Sequence, residues 1–284
     1  MSKFRVVARL DIKGPNLVKG IHLEGLRVLG DPGAFAKYYY DSGIDELFYM
    51  DVVASLYERN SLSDLVRNAA KEVFIPLTVG GGLRTLEDIR QVLRAGADKV
   101  CINTAAIKNP DFIKEASEVF GSSTIVVAIE CIKQKTGQYL AFVDNGREET
   151  GVEVLGWAKK VEALGAGEIV LTFVDSEGTG EGLDFSFLKQ VCDLVKIPVV
   201  AHGGVGRLSD PVSAYKSGAS AIAIASVLHY DVIENSKVPS RVDGLEGNDS
   251  FIKKNTRFKK INPLTVNQIK EELALSAVPV RKNS

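Results

Sequence analysis

Asp11 closes the apolar run RVVARLD (5–11), and Glu130 closes IVVAIE (125–130). Each run reads as a buried β-strand. An ionisable group at the end of such a strand either caps it or moves protons. If both strands belong to one closed barrel, the two acids face each other across its mouth. One could then act ionised as a base and the other protonated as an acid. Burial raises the pKa of the more enclosed one. Two glycine clusters accompany them: Gly80-Gly81-Gly82 with Asn103-Thr104, and Gly203-Gly204 with Ala225-Ser226. Glycine lets backbone N–H groups approach an oxyanion, and a hydroxyl at a helix start adds a donor. The pieces suit an elongated substrate with a phosphate at each end. The same glycines also serve as plain tight turns.

Further acids fall on the same rim: Asp51 at the end of the second strand candidate, and Asp175 and Glu177 after the sixth. Each taken alone suits the orientation of a loop or a lysine better than proton transfer. Cys101, Cys131 and Cys192 are an odd number, far apart, with no C-x-x-C pair. They imply a reducing, cytosolic setting without a disulfide framework. Cys131 lies beside Glu130, but no histidine is near it in sequence, and buried cysteine is common.

Elements must hold these residues in place. Strand candidates at 5–11, 46–51, 75–80, 98–103, 125–130, 168–174, 197–202 and 220–226 alternate with amphipathic segments such as 86–95 and 153–164. That alternation predicts one (β/α)8 barrel, a TIM barrel, spanning residues 1–284. An open doubly wound sheet is the alternative, and the lack of G-x-G-x-x-G after the first strand counts against it. The chain also repeats itself at an offset of 122 residues. Pro76 falls on Pro198, Gly81 on Gly203, Gly82 on Gly204, Gly96 on Gly218 and Thr104 on Ser226. Two similar half-barrels follow. At the starts of strands, Arg5, Glu46, Lys99 and Glu168 alternate in charge. They are placed to form a salt-bridged ring closing the bottom of the barrel.

The bulk composition is that of a soluble globular protein, with 45% hydrophobic and 25% charged residues. A net charge of −1 offers no global field for nucleic acid or anionic membrane. No apolar run approaches the roughly eighteen residues of a membrane span. The opening MSKFRVVARLDIKG is too charged for a signal peptide, so a cytoplasmic location is expected. No metal cluster or cofactor motif is read.

Several long motifs carry a family resemblance: RLDIK with VKG (9–20), GDP (30–32), DELFYMD (45–51), FIPLTVGGGLR (74–84), LRAGADKV with INTAA (93–106) and WAKKVEALGAGEI (157–169). With PLTVNQIKEELALSAVPVR (263–281), they resemble the cyclase subunit of imidazole glycerol phosphate synthase, nearly without gaps over 3–230. The resemblance implies a barrel in a heterodimer with a glutaminase subunit and no cofactor. Ammonia from the partner would enter through the ring of Arg5, Glu46, Lys99 and Glu168. It would meet a bis-phosphorylated ribulosyl aminoimidazole carboxamide ribonucleotide. The products would be imidazole glycerol phosphate and the aminoimidazole carboxamide ribotide. Asp11 matches a general base or acid, and Lys19 matches a lysine of a mobile first loop. Phosphate contacts match Gly82, Asn103 and Thr104, and Gly204, Ala225 and Ser226, and Lys19, Glu177 and Gly203 join them as expected substrate-binding residues.

The sequence departs from the family at four places. Glu130 replaces the second catalytic aspartate, and Glu177 replaces an aspartate after strand six. His202 stands beside the second phosphate site, and Arg9 stands close to the barrel axis or wall. One added methylene moves a carboxylate by roughly 1 Å, and misplacement on that scale costs on the order of 10²-fold in rate. Residues 231–262 form a polar insertion between strand eight and the last helix, on the catalytic face. It would cover the second phosphate site, dock a protein, or be a surface excursion. These departures keep a second function open, a paralogue that relays glutaminase-derived ammonia to a third, amidating enzyme acting on a surface-polysaccharide (lipopolysaccharide) sugar. A sugar-phosphate isomerase on the related barrel is weakened by the complete bottom ring, since an isomerase needs no ammonia gate.

Overall fold

The computed structural model describes residues 3–54, 62–235 and 261–281. Eight parallel strands close into a barrel: β1 (Arg5–Lys13), β4 (Glu46–Asp51), β5 (Leu77–Gly80), β6 (Lys99–Ile102), β7 (Ile125–Lys133), β10 (Glu168–Phe173), β11 (Val199–His202) and β12 (Ala221–Ile224). Closure is made by β7 pairing with β10 and β12 pairing with β1. All eight strand candidates are present. Between them run helices such as Leu86–Ala95, which starts at a Thr85–Asp88 capping box and ends on left-handed Gly96.

Strand periodicity sorts the side chains. On β1, Val6, Ala8, Leu10 and Ile12 pack outward in the main core under the helices. Arg5, Val7, Arg9 and Asp11 therefore point inward, in ascending order. Val7 packs with Phe48, Val126, Val170, Val200 and Ala223 in a second apolar cluster inside the barrel. The interior is thus a short apolar shaft with charge at both ends.

Four strands were not anticipated. β2 (Asn16–Ile21) and β3 (Glu24–Gly30) form an antiparallel excursion from β1, and β8 (Tyr139–Val143) and β9 (Glu148–Glu153) form one from β7. They explain why Asp11 and Glu130 do not end their strands. β1 runs on to Lys13 because Asp11–Lys13 pair with β2, and β7 runs on to Lys133 because Glu130–Lys133 pair with β8. The excursions obey the repeat. Asp11 lies opposite Met50 and Glu130 opposite Thr172, and these two partners, Met50 and Thr172, are 122 residues apart in the sequence.

The first five residues of the 231–262 insertion continue the helix Ser226–Asn235, where Asp231 and Val232 are buried. Residues 236–260 lie outside the described residues. The chain returns at buried Ile261 and the helix Val266–Leu275, whose Lys270 bonds Asp45 at 2.7 Å.

The repeated glycines have a steric cause. At Gly81 (φ +104°) a Cβ would lie 2.3 Å from the Asp51 carbonyl oxygen. At Gly203 (φ +97°) it would lie 2.5 Å from the Phe173 carbonyl oxygen. Gly81→Ala and Gly203→Ala should each lower unfolding free energy by at least about 1–3 kcal/mol, read from denaturant midpoints. An unchanged midpoint for either would refute this account of the turns.

Candidate active site

The inward side chains of β1 and β7 build the mouth. Asp11 is buried, and its Oδ1 accepts a hydrogen bond from Arg9 Nε at 2.8 Å. Lys19, carried in by β2, stands 3.7 Å from Asp11 Oδ2 and bonds Glu177 Oε1. Burial alone would raise the Asp11 pKa, but the charges of Arg9 and Lys19 outweigh it and bring it to about 2. Asp11 is therefore ionised throughout the neutral range.

Glu130 is equally enclosed, and Asn103 and a backbone N–H rather than a salt-bridged cation contact its carboxyl. Its Oε2 accepts from the Gly146 backbone N–H at 2.8 Å. Burial pushes its pKa up to about 7, against the opposing charge of Arg9 and that N–H bond. One carboxyl is thus held charged while its symmetry mate is poised between forms. Divided pKa values of this kind permit one base and one acid. Glu130 reaches the tip of the β8–β9 turn, where Asp144, Asn145 and Gly146 all have positive φ.

His202, on β11, points inward to Arg9 Nη1 at 3.2 Å and to the Thr172 hydroxyl at 3.1 Å. Arginine only donates, so His202 Nδ1 accepts and the ring proton sits on Nε2. Burial and the adjacent Arg9 hold its pKa well below the usual value, so the ring is neutral. Ala223 on β12, between β1 and β11, is small enough for the arginine to pass. The sequence placed His202 beside the second glycine cluster; it lines that cleft and also reaches the axis.

The two glycine sites are unequal. Beside Glu130 opens a cavity of about 320 Å³ lined by Gly81, Gly82, Asn103 and Thr104, with Arg84 and Lys108 adding positive charge. At Glu177, Gly203, Gly204, Ala225 and Ser226 the free volume is about 10 Å³, room for about one water. The first excursion accounts for the difference. Its tip folds onto Glu177: His22 N–H donates to the Glu177 carbonyl at 2.9 Å, and Leu23 N–H to its Oε2 at 3.3 Å. His22 and Leu23 hold positive φ of 53° and 62°, a strained backbone that these bonds retain. The segment matched to a mobile loop is here a paired ribbon with Lys19 buried beneath it.

At the bottom the predicted ring is complete. Arg5 bonds Glu46 at 2.7 Å and Glu168 at 2.5 Å, and Lys99 bonds Glu168 at 2.9 Å and stands 3.6 Å from Glu46. Asp51 accepts from Val53 N–H and Asp175 from Lys133 N–H, so both orient loops, as their sequence positions suggested. The Cys131 thiol is fully buried and its pKa is driven well above the usual value, which leaves no nucleophile.

Residues 5–234 match the family of histidine biosynthesis proteins. The chain belongs to that family. It is 55% identical over 210 residues to "Imidazole glycerol phosphate synthase subunit HisF" of Legionella pneumophila, covering 74% of this chain and 99% of that protein. Proteins of the same name from Methanococcus vannielii and Methanocaldococcus jannaschii are 44% and 46% identical, covering 84% and 80% of this chain and 95% and 90% of theirs. Among the described residues of this histidine biosynthesis protein, no helix is long and apolar enough to cross a membrane.

Sequence reasoning missed Thr172, Asp144 and Gly146 as parts of the mouth. The D-N-G triplet at 144–146 is a hairpin signal that points to the last two. Thr172 sits in an apolar strand and carried none. The Glu177 latch is testable. Glu177→Gln leaves Lys19 buried beside Asp11 alone, so amide exchange at Leu23 should accelerate by tenfold or more as the ribbon opens. Unchanged exchange there would show that the ribbon is held by other contacts.

Proposed function

We propose that this chain works as the cyclase subunit of imidazole glycerol phosphate synthase, with Asp11 as base and Glu130 as acid. One observation supports this most strongly. A single interior axis joins a charged ring at the bottom to an ionised and a neutralisable carboxylate at the top. The names of its relatives agree, and they do not favour the reading of ammonia relay to a third, sugar-amidating enzyme.

In this reading a glutaminase subunit docks at the bottom, in a heterodimer, and its ammonia enters past Arg5, Glu46, Lys99 and Glu168. The bis-phosphorylated ribulosyl aminoimidazole carboxamide ribonucleotide lies across the mouth. One phosphate takes the cavity at Gly82, Asn103 and Thr104. The other takes the closed cleft at Gly203, Gly204, Ala225 and Ser226 once Lys19 and Glu177 move apart. Ammonia adds through its lone pair to the ketose carbon, and the C=O π pair moves onto oxygen. Glu130 gives that oxygen a proton, and Asp11 removes one from the new ammonium nitrogen. Later steps release imidazole glycerol phosphate and the aminoimidazole carboxamide ribotide.

The test is turnover of the bis-phosphorylated substrate with ammonium salt and no partner. Conversion is expected. No conversion by the chain as it stands, with turnover appearing in Glu130→Asp, would refute the reading and identify the glutamate as the cause. The acid must be protonated, so kcat/KM should fall as pH rises through about 7, measured at constant unprotonated ammonia. Asp11, at about 2, adds no acidic limb above pH about 4. Glu130→Gln should lower kcat by about 10²–10⁴-fold; a flat pH profile from 6 to 9 would contradict its role.

A further inference from the structure

Arg9 is charged, fully enclosed, and on the axis that joins the shaft to the mouth. Its Nε holds Asp11 and its Nη1 holds His202. Its Nη2 is buried and has no hydrogen-bond partner. The guanidinium is a planar, rigid fork, in which Nε–H and one N–H of Nη2 lie parallel along one edge. The Nε bond runs toward Asp11, two residues further up the strand. The idle Nη2 donor therefore faces the same way as the Nε–H, toward the end of the strand that carries Asp11. A buried charged donor without an acceptor is costly and is uncommon in a native fold. This one stands beside the carboxylate that must meet substrate.

We propose that Arg9 is a substrate-binding residue whose Nη2 donates to an oxygen of the open-chain sugar linking the two phosphates, while its Nε orients Asp11. This rests on the cyclase reading. The ligand class is a carbonyl or hydroxyl oxygen, and the ketose oxygen that gains electron density during ammonia addition fits it best. A fixed donor at that oxygen stabilises the addition product more than the ketone. The groups facing Arg9 are Asp11 on its own strand, Lys19 from the ribbon beside Asp11, Glu177 from the loop after β10, His202 from β11, and Glu130 and Cys101 from across the shaft. Carboxylates outnumber cations there, so Arg9 keeps its charge when Lys19 withdraws.

Arg9→Lys retains a cation for Asp11 but loses the second prong. Ammonium-dependent kcat/KM should fall by about 10²-fold, with the fall near pH 7 preserved. Arg9→Met should lose the same factor, and its pH limb should move upward because the cation that lowers Glu130 is gone. Arg9→Lys turning over within threefold of wild type would overturn the proposal, because a residue that only holds Asp11 is replaced by lysine. Should the variants not fold, the wild-type chain crystallised with substrate decides: Nη2 within hydrogen-bond distance of a linker oxygen upholds the inference, and its absence overturns it. A wild-type chain that binds the substrate without converting it refutes the cyclase reading, while that same contact still judges Arg9.

Discussion

The mouth of this barrel depends on a buried set of charges that balance only in one protonation pattern. Arg9 and Lys19 are the cations; Asp11 and Glu177 are the anions they contact. Breaking such a buried set by removing one partner is strongly destabilising, of the order of 3–5 kcal/mol. A further ionised carboxylate would tip the set negative in a region with little water. Glu130 is that further carboxylate, and burial without a cation of its own pushes it up to about 7. The different behaviour of two symmetry-related acids follows from which of them the cations touch.

The pseudo-twofold repeat supplies the frame, and departures from it supply the chemistry. Paired strands, paired glycines and paired excursions place Asp11 and Glu130 at equivalent registers. The excursions then diverge. The first brings Lys19 in under its ribbon and closes the cleft at Gly203 and Gly204; the second brings only the Gly146 N–H and leaves a cavity at Gly81 and Gly82. An elongated ligand with like groups at both ends suits a frame with like ends. Opposed acid and base functions suit a centre where the halves differ.

The barrel was legible in the sequence because strand periodicity and the glycine register are local signals that repetition reinforces. The bottom ring was legible for the same reason, since Arg5, Glu46, Lys99 and Glu168 stand at strand starts and alternate in sign. The excursions were not. NLVKGI (16–21) and EETGVE (148–153) lack a clean two-residue alternation, and their pairing is set by the edges left where β1 and β7 outrun the barrel ladder. Arg9 drew notice as a charge in an apolar strand, but whether it reached the axis or the wall depended on β12 presenting Ala223 and β11 presenting His202. The side-chain partners of Glu177 lie more than 150 residues away in sequence, a separation that no local pattern spans.

The most direct test is a carbon-13 NMR titration of the carboxyl side chains of the free chain, with Asp11 and Glu130 assigned through Asp11→Asn and Glu130→Gln. The account predicts that Glu130 titrates near 7 while Asp11 stays ionised down to pH about 4. A Glu130 carboxyl that titrates near the ordinary 4.5 would contradict it. The two acids would then be equivalent, and the buried cations would not be what separates them.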